Sequence, residues 1–162
     1  MRATGGTVRG VHMPVENRQQ LDALFRADPF ARALGAEIVE WGDGKARVRY
    51  PPTPAHLNFL GGVHGGAIYA AADVALSVAS NSWGRQCVAI SIEAHYLKPA
   101  RAGDLLIAEA EEESRSRRLG SYRMSVHDTA GRLVASLHAL GFRTDSWHLG
   151  ETAWPEEWRC TY

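Results

Sequence analysis

One stretch in the middle of the chain constrains its fold more than any other. Residues 65–82 read GGAIYAAADVALSVASNS, and Asp73 is the only charged residue among them. Alanine favours helix, and a helix that is apolar on nearly all sides is stable only when the rest of the protein covers it. The sequence therefore predicts a long central helix from Gly65 to Ser82 that is largely buried.

Strand-like segments lie on both sides of this helix. Residues 36–41 and 46–50 alternate apolar and polar side chains across the link GDGK, a pattern typical of a β-hairpin. Four more strand-like runs follow the helix, at residues 87–97, 105–113, 120–127 and 133–143. Because the links between them are short, the strands are predicted to be antiparallel neighbours. The expected fold class is α+β, a sheet with a long helix against one face.

The 162 residues fit a single domain. We expect a flexible N-terminal arm over residues 1–16, the folded domain over 17–144 and a tryptophan-rich tail over 145–162. At the start of the domain, apolar residues at helical spacing predict a short helix that is kinked near Pro29 and ends at Gly35. The tail is expected to be irregular and held by aromatic contacts.

Charge and composition exclude several classes of partner. Lys and Arg number 18, as do Asp and Glu, so no overall field favours nucleic acid or an anionic membrane. No segment approaches the roughly 20 apolar residues that a membrane-spanning helix needs. Cys87, Cys160 and the dispersed histidines lack the spacing of a metal site or a disulfide framework. We expect a cytoplasmic protein without a metal, a nucleic-acid partner or a membrane partner.

Asp73 needs a chemical explanation. An ionised carboxylate inside an alanine-rich helix is costly unless it is paired or open to water. At helical spacing Gly66, Tyr69, Asp73 and Ser77 share one stripe of the helix surface. This stripe is consistent with an acyl pocket in which Asp73 acts as a base beside a water. Asp73 paired with an arginine or an amide across an interface, and Ser77 as a small packing residue, are the simpler interpretations.

The helix begins with Val63-His64-Gly65-Gly66. Free N–H groups at a helix start carry partial positive charge, and glycine lets a ligand approach them closely. A carbonyl oxygen bound there would be polarised as in an oxyanion hole. The alternatives are a tight turn that needs glycine and a histidine that only caps the helix.

Helix geometry separates these two candidate groups. Asp73 lies eight residues after Gly65, so about 12 Å of helix axis lies between them at 1.5 Å per residue. One helix therefore cannot supply both groups to a single reacting carbonyl. We predict a homodimer or larger assembly in which two such helices run antiparallel and share each site.

The residues before and within the central helix resemble the motif of a known family. Residues 58–66, NFLGGVHGG, followed by Ala72-Asp73, resemble the N-x-x-G-x-x-H-G-G-(x)6-D signature of hotdog-fold acyl-CoA thioesterases, most closely the phenylacetate-degradation or PaaI-like branch. The resemblance continues through residues 81–82, 96–99 and 103–104. It implies a long helix wrapped by a curved antiparallel sheet, dimers that pair into homotetramers, and hydrolysis of acyl-CoA without a cofactor, coenzyme A being part of the substrate.

The resemblance also assigns roles to residues. It makes Asp73 the catalytic carboxylate, as general base or as nucleophile, and gives the backbone N–H of Gly65 from the opposite subunit the task of binding the thioester oxygen. His64 and Asn58 would shape the turn and orient the thioester or water. Ser77 would assist the attacking water.

Substrate contacts follow less directly. Gly66, Tyr69 and Ser77 are the expected acyl-binding residues. Stacking by Tyr69 or Trp83 would favour an aromatic acyl group, phenylacetyl or similar, over short or medium chains, and the alternative is that both rings are core or interface residues. Basic residues at strand ends are candidates for the coenzyme A phosphates, although solvated loop charges are an equally good interpretation. These basic residues are Lys98, Arg101 and Arg118.

Three other functions fit the same fold. A module that senses acyl-CoA without cleaving it would have no use for a buried carboxylate such as Asp73. A hydratase would need a histidine beside a carboxylate, for which His95 with Glu93, or His64 with Asp73, are the candidates. A purely structural homo-oligomer is the third alternative.

Overall fold

A computed structural model of the chain describes residues 11–162. The arm predicted over residues 1–16 lies mostly outside these described residues, and the first helix begins at Val15. In chain order the helices and strands are α1 Val15–Arg26, α2 Pro29–Leu34, β1 Glu37–Gly42, β2 Lys45–Tyr50, α3 Gly65–Asn81, β3 Arg85–Tyr96, β4 Leu106–Arg115, β5 Leu119–Asp128, β6 Leu133–Trp147 and α4 Glu156–Thr161. None of the helices within residues 11–162 is long and apolar enough to cross a membrane.

The six strands of the described chain form one sheet in the order β1-β2-β4-β5-β6-β3. Every neighbouring pair is antiparallel. The short links correctly predicted that β4, β5 and β6 are successive neighbours, but the prediction was wrong for β3, which pairs with β6 at the edge of the sheet and not with β4. Helix α3 lies against one face of the sheet and contacts all six strands. The α+β prediction is therefore confirmed, and the arrangement is the hotdog fold that the resemblance implies.

The hairpin between β1 and β2 turns on two residues with positive φ. Asp43 has φ 51° and Gly44 has φ 75°, the left-handed pair that a two-residue type I′ turn requires. The Gly44 N–H donates to Ser82 Oγ at 2.9 Å. This bond ties the hairpin to the residue that follows α3.

Helix α3 is buried on the side that faces the sheet. Four of its alanines have no exposed surface, and their small side chains let the helix axis approach the strands closely. These are Ala71, Ala72, Ala75 and Ala79. The predicted stripe from Gly66 to Ser77 is the side left partly or fully exposed in a single chain. The sequence thus predicted both the burial of the helix and its one open face.

The N-terminal helical segment differs from its prediction. Instead of one helix kinked near Pro29, the structure has two helices separated at Ala27 and Asp28. The Asp28 carboxylate accepts the Ala31 N–H at 2.8 Å, and Pro29 takes the first helical position, so a new helix starts there. Gly35, with φ 74°, ends α2 as expected.

The C-terminal tail is more regular than predicted. Strand β6 continues to Trp147, and Glu156–Thr161 form the short helix α4. The expected aromatic contacts are present: Trp83 and Tyr162 stack at 4.3 Å between ring centroids, and Trp158 donates from Nε1 to the Trp83 carbonyl at 2.9 Å. The tail therefore packs against the segment that leaves α3.

Substitution of Gly84 tests how much the packing of the tail against the segment after α3 contributes to stability. It has φ +84°, and a Cβ added there would lie 2.2 Å from Trp154 Cη2. Gly84→Ala is expected to lower the free energy of unfolding by roughly 2–5 kcal/mol, since left-handed strain and overpacking add. Gly131, with φ +77° and nothing within 4 Å of a Cβ, is the matched control. Gly131→Ala should cost about 1–2 kcal/mol in urea unfolding, and equal losses in the two variants would contradict the packing role of Trp154.

Strand β3 lies at one edge of the sheet, and no described residue pairs with its outer side. Val88 and Ile90 on this strand are 54% and 57% exposed. A long edge strand with exposed apolar side chains is a surface on which another strand can add.

Candidate active site

A cleft of about 760 Å³ lies at the N-terminal end of α3. Its walls are the loop of residues 58–63, which precedes the helix, and the segment that leaves β3. Among its lining residues are four of the predicted site residues: Asn58, Gly65, Lys98 and Arg101. The structure thus places two predicted coenzyme A contacts beside the predicted oxyanion donor.

Asn58 fixes the shape of the loop. Its Oδ1 accepts the N–H groups of Leu60 at 2.9 Å and Gly62 at 3.2 Å. The loop is also tied to the opposite wall, because the Val63 N–H donates to the Ala100 carbonyl at 2.8 Å. Since both side-chain acceptor bonds of Asn58 point into its own loop, its position is that of a residue that orients the cleft wall.

His64 caps α3. Its Nδ1 accepts the Gly66 N–H at 2.9 Å, so in this geometry the ring proton is on Nε2. The amides of Ala67 and Ile68 donate to the His64 carbonyl at 2.9 and 3.2 Å. His64 therefore acts as the capping histidine that was its simpler interpretation, and the Gly66 amide is already engaged.

The Gly65 N–H is different from its neighbours. Among the hydrogen bonds of residues 11–162, none uses this amide as a donor. It lies at the first position of α3, where the helix dipole adds partial positive charge. The amide is therefore available to a ligand oxygen in the cleft.

Tyr96 is a site residue that our sequence analysis missed. A Cβ at Gly65 would lie 3.2 Å from Tyr96 Cζ and 3.5 Å from its hydroxyl, so the ring packs directly against the glycine. Tyr96 also lines the cleft and is about half exposed. The Tyr-Leu-Lys-Pro segment, which is part of the family resemblance, could have indicated Tyr96 as a site residue. Nothing in that segment specifies on which side of β3 the ring lies.

Asp73 lies half-buried on the open stripe of α3. It forms no hydrogen bond or ion pair with another described residue, so the alternative of an arginine or amide partner across an interface stays a prediction. Burial raises the pKa of the Asp73 carboxyl above its usual value. The pKa of Tyr69 is also raised, first by burial and then by the nearby charge of Asp73. Asp73 therefore has the properties of a proton acceptor without a structural partner.

The raised pKa of Asp73 has a consequence for stability. The native state holds the proton of this carboxyl more tightly than the unfolded chain, so its contribution to stability is present below pH 3.8 and is lost as the pH rises through the native pKa. We expect Asp73→Asn to unfold at higher urea concentration than the parent at pH 7, and at the same concentration near pH 3. Asp43→Asn, in the exposed hairpin turn, is the matched control and should unfold at the same urea concentration as the parent at pH 7. A variant no more stable than the parent at pH 7 would contradict the burial cost.

The predicted stripe and the cleft do not form one site within a chain. Asp73 lies about 12 Å along the helix from Gly65, and neither Asp73, Tyr69 nor Ser77 lines the cleft. Ser77 is exposed to solvent in the single chain. The separation expected from the sequence is therefore present in the structure.

The basic residues predicted to bind coenzyme A fall into two groups. Lys98 lies at one end of β6, because the N–H of its neighbour Leu97 donates to the Val134 carbonyl at 2.8 Å. Arg118 is at the other end, where its carbonyl accepts the Arg143 N–H at 2.9 Å. Nine residues of strand separate these points, or about 30 Å. Lys98 and Arg118 of one chain therefore cannot hold the same phosphate group.

The structure also places Trp83 and the pair of His95 and Glu93. Trp83 stacks on Tyr162 in the tail and does not line the cleft, so within one chain its ring packs against the tail, and its role in acyl stacking stays a prediction. His95 and Glu93 do form a pair, with 3.2 Å between Nε2 and Oε1. Both side chains are exposed on the face of β3 opposite Tyr96, whose ring contacts Gly65. The hydratase candidate pair therefore lies away from the cleft.

No group of three or more His, Cys, Asp or Glu side chains between residues 11 and 162 is arranged to hold a metal ion. The functional groups that the cleft and the open stripe offer are a carboxylate, aromatic rings, basic side chains and a free backbone amide. These groups can polarise a carbonyl and accept a proton from water.

Comparison with known proteins places these features in context. A model of the thioesterase superfamily matches residues 60–135. The acyl-coenzyme A thioesterase PaaI of Escherichia coli is 32% identical over 133 residues, which cover 82% of this chain and 95% of that protein. Its structure superimposes with a TM-score of 0.78 at 29% identity and covers 82% of this chain and 97% of the other.

Two further solved structures are similar. A mutant of the phenylacetic acid degradation protein PaaI from Thermus thermophilus is 39% identical with a TM-score of 0.70, and covers 72% of this chain and 100% of that one. A Streptococcus mutans protein bound to acetyl CoA is 25% identical with a TM-score of 0.65, and covers 67% of this chain and 88% of the other.

Proposed function

The chain belongs to the thioesterase superfamily as a PaaI-like hotdog enzyme that hydrolyses thioesters, and from this premise we propose that it cleaves aromatic acyl-CoA esters with Asp73 and the Gly65 amide. Acyl-CoA thioesterase activity is supported by the E. coli relative and by the acetyl CoA bound to the S. mutans protein. The observation that carries the proposed mechanism is that α3 holds both an amide and a half-buried carboxylate that have no hydrogen-bond partner among residues 11–162.

The chemistry follows from these two groups. The Gly65 N–H donates to the thioester oxygen and stabilises the negative charge that develops there during attack. Asp73 either accepts a proton from the attacking water or attacks the carbonyl itself, and Ser77 assists the water. The C–S bond then breaks and the thiolate of coenzyme A takes up a proton. Attack by water gives the free acid directly, whereas attack by Asp73 leaves a mixed anhydride, which a water then hydrolyses to the free acid and the Asp73 carboxylate. The pKa of Asp73, raised by burial, makes the carboxylate a stronger base than a solvated one.

The site is proposed to be shared between two subunits. Asp73 and Gly65 are too far apart in one chain, whereas antiparallel α3 helices across a two-fold axis bring each Asp73 towards the other chain's Gly65. The unpaired edge of β3, with exposed Val88 and Ile90, supports such an interface. Pairing of two dimers into a homotetramer is part of the proposal.

Aromatic acyl groups are the proposed substrates. Tyr69 lies on the open stripe one turn from Asp73, and Tyr96 packs against Gly65, so both ends of the proposed site carry an aromatic ring. Gly66 lies on the same stripe of α3 and is proposed to contact the acyl chain beside Tyr69. One relative, at 32% identity, is E. coli PaaI, a protein from the phenylacetic acid degradation operon. We therefore place phenylacetyl-CoA and related esters, from phenylacetate degradation, ahead of short and medium chains.

Coenzyme A is proposed to enter through the cleft. Lys98 and Arg101 line it and would meet the phosphates, while Arg118 would serve only from a different part of the assembly. No metal or other cofactor takes part in the proposed reaction. A cytoplasmic location is proposed from the two free cysteines, Cys87 and Cys160.

The test is release of free coenzyme A thiol, followed with a thiol reagent. The panel contains phenylacetyl, hydroxyphenylacetyl, benzoyl and straight-chain acyl-CoA esters. We expect the highest kcat/KM with the phenylacetyl esters and no change after treatment with a metal chelator. Binding of these esters without release from any of them would instead establish the acyl-CoA-sensing alternative.

Mixing two inactive variants tests whether the site is shared. Asp73→Asn and Gly65→Pro each remove one of the two groups, and a mixed dimer regains one site that contains both. With random assembly after co-expression, about a quarter of the parent activity is expected, since half of the dimers are mixed and each has one intact site. Activity no higher than that of the single variants would show that both groups act within one chain.

A further inference from the structure

Tyr96 is the last residue of β3 and lies beside the first turn of α3. The Leu97 N–H donates to the Val134 carbonyl at 2.8 Å, which ties this end of β3 to β6. The Val63 N–H donates to the Ala100 carbonyl at 2.8 Å, which ties the segment after β3 to the residues before α3. These two backbone bonds fix the position of Tyr96 relative to the start of the helix.

The tip of the Tyr96 ring is the part that faces Gly65. From the point where a Cβ would lie on Gly65, the distance is 3.2 Å to Cζ, 3.4 Å to Cε1 and 3.5 Å to the hydroxyl oxygen. That point is about 2.5 Å from the Gly65 nitrogen, so at most about 6 Å separates the hydroxyl oxygen from this nitrogen. Two donors that each bind one oxygen at about 2.9 Å lie up to about 5.8 Å apart. The separation therefore suits two donors that share an acceptor.

Neither of these two donors is in use within the described chain. Of the five tyrosine hydroxyls in residues 11–162, only that of Tyr122 has a hydrogen-bond partner there. The Gly65 N–H also donates to no described residue. Tyr96 is 51% exposed and lines the cleft, so a ligand in the cleft can reach its hydroxyl. The cleft therefore offers two free donors side by side, one from α3 and one from β3.

The Tyr96 hydroxyl also lies near the open stripe of α3. The pKa of Tyr69 is raised by burial, by the charge of Asp73 and then by Tyr96, and such an electrostatic effect requires the two phenols to be near each other. A thioester with its acyl group beside Tyr69 and its oxygen at Gly65 would therefore have the Tyr96 hydroxyl next to that oxygen.

We propose that the Tyr96 hydroxyl donates a second hydrogen bond to the thioester oxygen, beside the bond from the Gly65 N–H; this inference rests on the proposed function. Negative charge grows on this oxygen as the carbonyl is attacked, so a donor aimed at it stabilises the transition state more than the bound substrate. The hydroxyl keeps its proton and takes no part in the proton transfers of hydrolysis. Both donors come from one chain, whereas Asp73 is supplied by the other subunit.

Tyr96→Phe removes the hydroxyl and keeps the ring against Gly65. We expect kcat for phenylacetyl-CoA to fall about tenfold to a hundredfold, less than the usual loss of an oxyanion donor, because water can partly replace a half-exposed hydroxyl. KM should stay within about twofold of the parent value, since the bond acts mainly in the transition state. Tyr50→Phe removes a hydroxyl that is buried in the core without a described partner. It is the matched control and should keep the parent kcat.

Tyr96→Leu distinguishes hydrogen bonding from packing, because it removes the ring as well as the hydroxyl. With a donated bond, Tyr96→Phe already shows most of the loss in kcat that Tyr96→Leu shows. If the ring only packed against Gly65, Tyr96→Phe would keep the parent kcat and Tyr96→Leu alone would lose activity. That pattern would overturn the proposal.

The carbonyl stretch of a bound ketone tests the same bond without turnover. The probe is a ketone analogue of phenylacetyl-CoA in which a methylene group replaces the thioester sulfur, with an isotopic label at the carbonyl carbon. Hydrogen bonds lower the stretching frequency of a carbonyl. The band of the bound ketone should therefore move to higher wavenumber in Tyr96→Phe and keep the parent value in Tyr50→Phe. Equal frequencies in the parent and Tyr96→Phe would contradict the second donor.

Failure of this inference is separate from failure of the proposed function. Parent values of kcat and of the ketone frequency in Tyr96→Phe, with Asp73→Asn and Gly65→Pro inactive, would remove the second donor and leave the shared site intact. Full activity of Asp73→Asn would refute the proposed mechanism, but the ketone frequency would still report on Tyr96, because it requires no catalysis. A ketone that does not bind at all would contradict both.

Discussion

Replacement of Asp73 by asparagine is expected to lower kcat for acyl-CoA hydrolysis by about a hundredfold to ten-thousandfold. Asparagine retains the volume of the side chain, so α3 and the cleft should keep their shape, but its amide neither accepts the proton of the attacking water nor attacks the carbonyl. Asp73 has no ion pair within the described chain, so the change removes no structural partner. Since the carboxylate is needed for the chemical step, KM should change much less than kcat.

The measurement is thiol release with phenylacetyl-CoA, with Asp73→Asn and Asp43→Asn assayed together. Asp43 has φ 51° in the hairpin turn, a conformation that asparagine adopts readily, so the same chemical change there should leave kcat at the parent value. Circular dichroism checks that both variants are folded. Turnover of Asp73→Asn within a few fold of the parent would refute the catalytic role of this carboxylate while leaving the family assignment intact.

Local sequence patterns were sufficient to predict much of this fold. The alanine-rich run specified α3 to within one residue of its end, because a continuous apolar surface has few other stable conformations. The hairpin turn could be predicted from Asp43 and Gly44, because these residue types tolerate positive φ. The stripe that contains Asp73 was predicted because helical periodicity alone determines which residues share a face.

What the sequence did not reveal depends on contacts between distant segments. Trp154 and Trp158 pack against the segment after α3, but neither their spacing nor their neighbours specify that partner. Arg143 was assigned to a strand, and nothing in the strand pattern shows that its side chain is buried and donates to the Ser116 carbonyl. Tyr96 faces Gly65 only because β3 lies beside the start of α3. The break before Pro29 is the exception, since Asp-Pro is a recognised helix-start signal that periodicity obscured.

The second large effect is expected at Gly65, where the backbone N–H can be removed without breaking the helix. Gly65 is the first residue of α3, a position that proline tolerates because it needs no N–H donor for the helix. The preceding residue, His64, has φ −62° and ψ 135°, the extended conformation that a following proline requires. Gly65→Pro is therefore expected to fold and to lower kcat by about a hundredfold to a thousandfold, the usual cost of one oxyanion-hole donor.

Gly65→Ala isolates the contribution of the N–H. Alanine adds a Cβ at the same point, 3.2 Å from Tyr96 Cζ, but keeps the amide proton. Any loss from crowding against Tyr96 should therefore appear in both variants, whereas loss of transition-state stabilisation should appear only with proline. We expect kcat of Gly65→Ala within about tenfold of the parent, since a contact this tight requires only a small shift of the ring. Equal kcat values for the two variants would show that the carbonyl oxygen is not bound by the Gly65 amide, and the oxyanion donor would then have to be sought elsewhere in the cleft.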